Sequence, residues 1–351
     1  HRGVHTVSQE ATDAYENARI KIQKHFNVKN SYEVILTSGT THSINLVANG
    51  FLEKLNEKDE IIISGLEHHS NIVPWQMMAE KNGAKIKIIP INENGELDMK
   101  VYDSILSNKT KLVFVNHVSN ALGTVNPIKK IIDKAHKLGA AVLVDGAQAS
   151  AHFKTDLQKL NVDFYNTSAH KLCGPTGIGM LFGKEKWLKK MPPYQGGGEM
   201  ISKVEYLEST FNVIPHKFEA GTPNIAGAAG LHTAIDYIDR IGLSAIFKHD
   251  QHLANQTVKR LQEIDGIRIF GPDNQRSAVV SFVLQDAHAL DLATMADQKG
   301  IAIRAGHHCN QPLLTKLGVP STARASFNFY NTESEVDRFI EVIQQVQKMF
   351  V

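Results

Sequence analysis

Apolar positions in this chain fall into short continuous runs that alternate with longer stripes of helical period. Residues 8–26 place Ala11, Ala14, Tyr15, Ala18, Ile22 and Phe26 on one stripe, the spacing of an amphipathic helix. Val34-Ile-Leu-Thr37 is a short apolar strand, and Ser38-Gly-Thr-Thr41 leads from it into a helix marked by Ile44, Leu46, Val47 and Phe51. The same reading predicts strands over 61–63, 85–89, 111–115, 140–144, 162–165 and 178–182, with helices over 71–81, 99–106 and 128–138. This rhythm predicts an α/β fold with a large, mostly parallel sheet covered by helices on both faces. After residue 182 a Pro/Gly-rich passage, Met191-Pro-Pro-Tyr-Gln-Gly-Gly-Gly198, breaks it. Helices over 225–240, 243–264, 288–299 and 333–349 then interleave with strands over 267–270, 278–283, 301–304 and 323–327. The expected division is a large domain over 1–234 and a smaller C-terminal α+β domain over 235–351.

Ligands of parallel sheets collect at the carboxyl ends of the strands. Those ends are Ser38 to Thr41, His68-His69, residues 116–120, Asp145-Gly-Ala-Gln148 and Ser168 to Lys171, five polar clusters on one edge. The turn at Thr40 opens a helix, whose free N–H groups bind phosphate or simply carry an ordinary cap.

Lys171 lies in Asn166-Thr-Ser-Ala-His-Lys-Leu-Cys-Gly-Pro-Thr-Gly-Ile-Gly179, a rigid turn between two strands. A partly desolvated amine there suits a Schiff base, although a lone Ser-x-His-Lys is also a common surface turn. Asp145 closes an apolar strand and needs a partner; the protonated pyridine nitrogen of pyridoxal phosphate (PLP) is one, and plain Asp-Gly turn chemistry is the alternative. One of His68 and His69 could stack on a planar cofactor and pass protons, or both could be half-buried caps. Cys309, in Arg304-Ala-Gly-His-His-Cys-Asn-Gln-Pro312, stands in a cationic loop that favours thiolate, against the commoner role of a buried small hydrophobe. Cys173 reads as packing. Arg324, alternating with small residues along a strand, needs an anion: a substrate carboxylate or a structural salt bridge.

Composition narrows the class. The 351 residues include 38 basic and 36 acidic ones, and without a dense Lys/Arg run they carry no nucleic-acid footprint. The 17 histidines show no metal-binding spacing. Two cysteines make no disulfide framework, and no run reaches the roughly 18 apolar residues of a membrane span, so a cytoplasmic protein is expected. The opening His1 is not an initiator methionine, and an N-terminal piece is expected to be missing.

These residues together resemble the type II cysteine desulfurases and selenocysteine lyases, PLP enzymes of the class V aminotransferase (PLP-transferase type I) fold. The motifs are His1-Arg-Gly-Val-His5, Thr37-Ser-Gly-Thr-Thr41, His68-His-Ser-Asn-Ile-Val-Pro-Trp75, Asp145-Gly-Ala-Gln148, Ser168 to Gly179, Gly196-Gly-Gly-Glu-Met200, Phe218-Glu-Ala-Gly-Thr-Pro223 and Arg304-Ala-Gly-His-His-Cys309. The resemblance implies Lys171 as the Schiff-base lysine, Asp145 as partner of the pyridine nitrogen, Gln148 on the ring hydroxyl and His68 stacked on the ring. Thr40, Thr41, Ser168 and His170 would hold the phosphate, with Thr222 arriving from the other subunit of a homodimer. Asn120, Arg324 and Arg304 would grip the substrate carboxylate. Cys309 would take sulfur from L-cysteine, release alanine, and pass the persulfide to an acceptor protein docked at the active-site mouth, for iron–sulfur cluster or related assembly. Selenocysteine lyase or cysteine sulfinate desulfinase activity is the alternative, and an ordinary class V aminotransferase a more distant one. Three positions depart from the family pattern: Ala169 for the usual Gly, Cys173 for an aromatic, and Asn310 for the common Ala.

Overall fold

The structure is a computed structural model that describes residues 3–273 and 276–350, so His1 and Arg2 of the first motif lie outside it. The N-terminal helix α1 (Thr6–His25) precedes β1 (Val34–Thr37), α2 (Thr40–Phe51), β2 (Glu60–Ser64), α3 (Val73–Asn82), β3 (Lys85–Ile89) and α4 (Met99–Ile105). Next come β4 (Thr110–Asn116), α5 (Ile128–Lys137), β5 (Ala141–Asp145), α6 (Leu157–Leu160), β6 (Phe164–Ser168), β7 (Gly179–Gly183) and α7 (Glu185–Leu188). These strands form one seven-stranded sheet in the order β1-β7-β6-β5-β4-β2-β3. Only β7 runs antiparallel to its neighbours, so β1 points the same way as β2 to β6.

The apolar runs are continuous because the sheet is buried on both faces. Val142 and Val144 of β5 enter one core with Ile22 of α1, Ile131 of α5 and Tyr165. Ala141 and Leu143 enter the other with Ile44 and Val47 of α2, Phe114 and Trp75. Trp75 is fully buried and stacks flat on Phe114, with ring centroids 3.4 Å apart.

A hairpin follows, β8 (Ile201–Val204) and β9 (Ser209–Phe211), then the long helices α8 (Ile225–Ile241) and α9 (Leu243–Leu261). The last part comprises β10 (Ile267–Phe270), β11 (Val279–Leu284), α10 (Ala289–Asp297), β12 (Arg304–Gly306), α11 (Gln311–Leu317), β13 (Thr322–Ser326) and α12 (Glu333–Gln347). Its four strands form an antiparallel sheet, β10-β11-β13-β12. Leu253 and Leu261 of α9 share its core with Phe339 and Ile343 of α12. Ile235, Ile238, Leu243 and Ile246 instead pack into the core of the large sheet, so residue 235 falls inside a helix that belongs to that core.

One local expectation is corrected, and two elements lie outside those expected. The strand expected at 301–304 forms at Arg304–Gly306, where the chain reaches its partner Thr322 to Arg324. Helix α11 was not foreseen, although Pro312 sits in its first turn, where its missing N–H costs no bond. Both strands of the β8–β9 hairpin are mostly exposed, so they carry no alternation to read. Among the described residues no helix is long and apolar enough to cross a membrane, and no group of three or more His, Cys, Asp or Glu is placed to hold a metal ion.

Candidate active site

The carboxyl ends of β1, β2, β4, β5 and β6 meet at a cavity of about 280 Å³ lined by Thr40, His68, Asp145, Gln148, Ser168 and Lys171. Asn120, just after β4, lines it too, as do Arg304 and Arg324 from the small sheet and the exposed Thr41 and His170. The volume lies near the lower end of small-molecule pockets, roughly 300–1,000 Å³.

At one end, β1 turns into α2 through Gly39, whose φ of +141° is open to glycine alone at low cost. A side chain there would also press its Cβ to 3.0 Å from Ser168 Oγ. The closeness lets Thr40 N–H donate to Ser168 Oγ at 2.9 Å, while that hydroxyl donates to Thr40 Oγ1 at 3.1 Å. Two hydroxyls and the start of a twelve-residue helix thus converge, a setting made for a phosphate.

In the middle, Asp145 is buried between Asn116 and Asn166, its register partners on β4 and β6. Its carboxylate accepts one bond, from Ala147 N–H at 2.9 Å, and forms no ion pair among the described residues. Burial pushes its pKa up, opposed by the charge of Lys171. A buried, under-partnered carboxylate facing a cavity fits the cationic ring nitrogen of PLP. Lys171 lies within the turn after β6; burial pushes its amine pKa down, with Asp145 opposing and Arg324 and Arg304 reinforcing.

His68 accepts from Ser70 N–H at 3.1 Å and pairs with Ser70 Oγ at 2.8 Å, both through Nδ1. Burial, with Lys171, His69 and Arg304 adding to it, pushes its pKa down to about 4. It is therefore neutral near pH 7, with its proton on Nε2. Ahead of it, fully buried Glu67 accepts from Ser64 Oγ, from Asn71 Nδ2 at 2.6 Å and from Asn116 N–H at 2.7 Å. Burial raises its pKa to about 8, with nearby Asp145 adding to the rise.

At the far end, Arg324 and Arg304 are direct cross-strand partners on β13 and β12. Like charges directly opposite repel, so an anion between them is the natural complement. Arg324 donates to the Asn120 carbonyl at 2.8 Å, and its Nε has no partner in this site. Arg304 Nη2 lies 3.5 Å from Cys309 Sγ. His308 and Cys309 both adopt left-handed backbone, φ +53° and +57°, at roughly 1–2 kcal/mol each, so contacts outside the loop must hold it. One of them occupies Asn120, whose Nδ2 donates to the His308 carbonyl at 2.7 Å; its expected grip on substrate is shared with this duty.

Thr222 does not line the cavity. It borders a second one, of about 330 Å³, with Tyr15, Ser38, His42 and Gln195. Three residues before it, Glu219 accepts from Arg19 at 2.7 and 2.9 Å, from Tyr15 at 3.0 Å and from Leu36 N–H at 2.7 Å. Cys173, expected to pack, is exposed and ends the Lys171 turn in left-handed backbone. Sequence reasoning missed Glu67, the second duty of Asn120 and the Arg19–Glu219 pair. Only Glu67 left a trace, as a carboxylate following a buried strand.

The class-V aminotransferase family model matches residues 1–339. A probable cysteine desulfurase of Halalkalibacterium halodurans is 48% identical over 351 residues, which cover 100% of this chain and 86% of that one. Among solved structures, the cysteine desulfurase CsdA from Escherichia coli, in an S-sulfonic acid form, superposes with a TM-score of 0.95 at 38% identity, covering 100% of this chain and 88% of its own. The apo cysteine desulfurase from Thermococcus onnurineus NA1 gives 0.96 at 38%, covering 99% and 87%. The chain belongs to the class-V aminotransferase family and, within it, to the cysteine desulfurases.

Proposed function

We propose that this protein is a PLP-dependent cysteine desulfurase that moves the sulfur of L-cysteine onto Cys309. One observation carries the reading: a single cavity joins Lys171, Asp145 and the Thr40–Ser168 pair to two opposed arginines, one of which touches the sulfur of Cys309. In this reading Thr40, Thr41, Ser168 and His170 hold the phosphate, Asp145 the ring nitrogen, Gln148 the ring hydroxyl and Lys171 the aldehyde carbon. Bound there, PLP supplies an electron sink for charge on the substrate α-carbon.

Arg324 and Arg304 bind the substrate carboxylate and orient its sulfur toward Cys309. Lys171 Nζ, eased toward its neutral form by burial, accepts and returns the α-proton. His68 holds a proton on Nε2 beside the ring. Cys309 Sγ, deprotonated, forms a bond to the substrate sulfur as the carbon–sulfur bond breaks. The released electron pair stays on the substrate carbon, which takes a proton to give alanine, and Cys309 keeps the persulfide. Thr222 would complete the phosphate end from a second copy in a cytoplasmic homodimer, and an acceptor protein would collect the sulfur for iron–sulfur cluster or related assembly.

The test pairs two variants. Lys171→Ala should lose the visible absorbance of lysine-bound PLP, and Cys309→Ala should lose at least 100-fold of alanine formation from cysteine while keeping that absorbance. Full activity of Cys309→Ala on cysteine would overturn sulfur transfer to Cys309.

A further inference from the structure

The short segment that carries Cys309 is fastened to the segment that carries His68. Cys309 O accepts from His69 N–H at 2.8 Å, and Gln311 N–H donates to His69 Nε2 at 3.0 Å. A backbone N–H can only donate, so His69 Nε2 is the unprotonated nitrogen and the ring proton sits on Nδ1. One residue thus grips the nucleophile's chain on both sides. A further tie runs beside it, from Asn310 Nδ2 to the Leu66 carbonyl at 3.0 Å. Two consecutive left-handed residues, His308 and Cys309, keep their backbone only while such ties hold. His69 does not line the cavity, so its ring is spent on the loop while its neighbour His68 faces the site.

We propose that His69 is a positioning residue that clasps the Cys309 loop and keeps Sγ beside Arg304 before substrate arrives. This inference rests on the assignment of Cys309 as the sulfur-accepting group. With the clasp open, the loop relaxes toward ordinary backbone and Sγ moves away from Arg304. The cofactor end and the paired arginines are untouched.

The experiment uses the PLP-loaded protein. His69→Leu should keep the PLP absorbance and the KM for cysteine within about twofold, yet lower kcat for alanine at least tenfold. Backbone amide exchange over residues 308–311 should rise several-fold. So should iodoacetamide labelling of the Cys309 peptide, read by mass spectrometry apart from Cys173. His69→Gln, whose Oε1 can accept from Gln311 N–H, should restore most of kcat, which a mere packing role would not predict. Gln311→Pro removes the donor without touching His69, at a helix position that tolerates proline, and should reproduce His69→Leu if that variant folds poorly. Unchanged exchange and labelling in both His69→Leu and Gln311→Pro would overturn the clasp. Full activity of Cys309→Ala would instead overturn the catalytic assignment, and the exchange data would still decide the clasp.

Discussion

Arg304 and Arg324 face each other directly across the β12–β13 pair, both toward the same cavity. Burial and the charge of Arg304 lower the Arg324 pKa to about 10, so Arg324 remains charged near neutrality. Their repulsion is a standing cost that a bound carboxylate removes. Arg304→Gln should therefore leave the ligand-free protein as stable or more stable, by about 0.2–1 kcal/mol in chemical denaturation. Arg324→Gln should raise the KM for cysteine roughly 10- to 100-fold, the value of a charge-assisted hydrogen bond of about 1.5–3 kcal/mol. An unchanged KM in steady-state assays would remove Arg324 from the substrate site.

Asp145 holds a buried carboxylate with no ion pair among the described residues, a cost that a cationic ring nitrogen would repay. Asp145→Asn should therefore melt no lower than the parent as apoprotein, yet hold PLP at least tenfold more weakly in an absorbance titration. Equal PLP affinity in the two proteins would contradict the assignment.

Glu67 makes stability depend on pH in an identifiable direction. Its folded pKa of about 8 lies above the usual value near 4.3, so between them the native state holds a proton that the unfolded chain has lost. Its contribution is therefore greatest near pH 4 and declines as pH rises toward 8. The melting-temperature difference between parent and Glu67→Gln should favour the parent most at pH 5 and shrink by pH 9. Parallel melting profiles across that range would refute it.

Arg19 and Glu219 join α1 to the loop that carries Thr222, with side chains only 2% and 6% exposed. Glu219→Ala leaves a guanidinium in the core with only the Glu16 carboxylate and the Val34 carbonyl, and should cost about 3–5 kcal/mol in urea unfolding. A loss under 1 kcal/mol would show that water reaches Arg19.

The large sheet was legible because its central strands are buried on both faces and so carry unbroken apolar runs, over 112–115 in β4 and 141–144 in β5. The cavity lining was legible too, since strand ends gather polar residues wherever a sheet is parallel; Lys171, Asp145, His68 and Ser168 all line it. The Arg19–Glu219 pair was not, because its partners lie 200 residues apart and no local pattern links them. Nor were the separate duties of His68 and His69. Adjacent identical residues differ only in which way the chain turns them, and that turn is set by Ser70 on one side and by the distant Gln311 on the other.

Trp75 is one of two tryptophans in the chain, and its Nε1 donates to Asn71 Oδ1 at 2.9 Å, while Asn71 in turn donates to Glu67. The indole is thus wired by two hydrogen bonds to the carboxylate that neighbours His68. Its emission becomes an internal gauge: a chromophore settling over Asp145 should quench Trp75 by energy transfer, while Trp187, whose Nε1 donates to Asp163 at the opposite edge of the sheet, should respond less. Loading of the site can then be followed by fluorescence in the unlabelled protein, with Trp187→Phe isolating the signal.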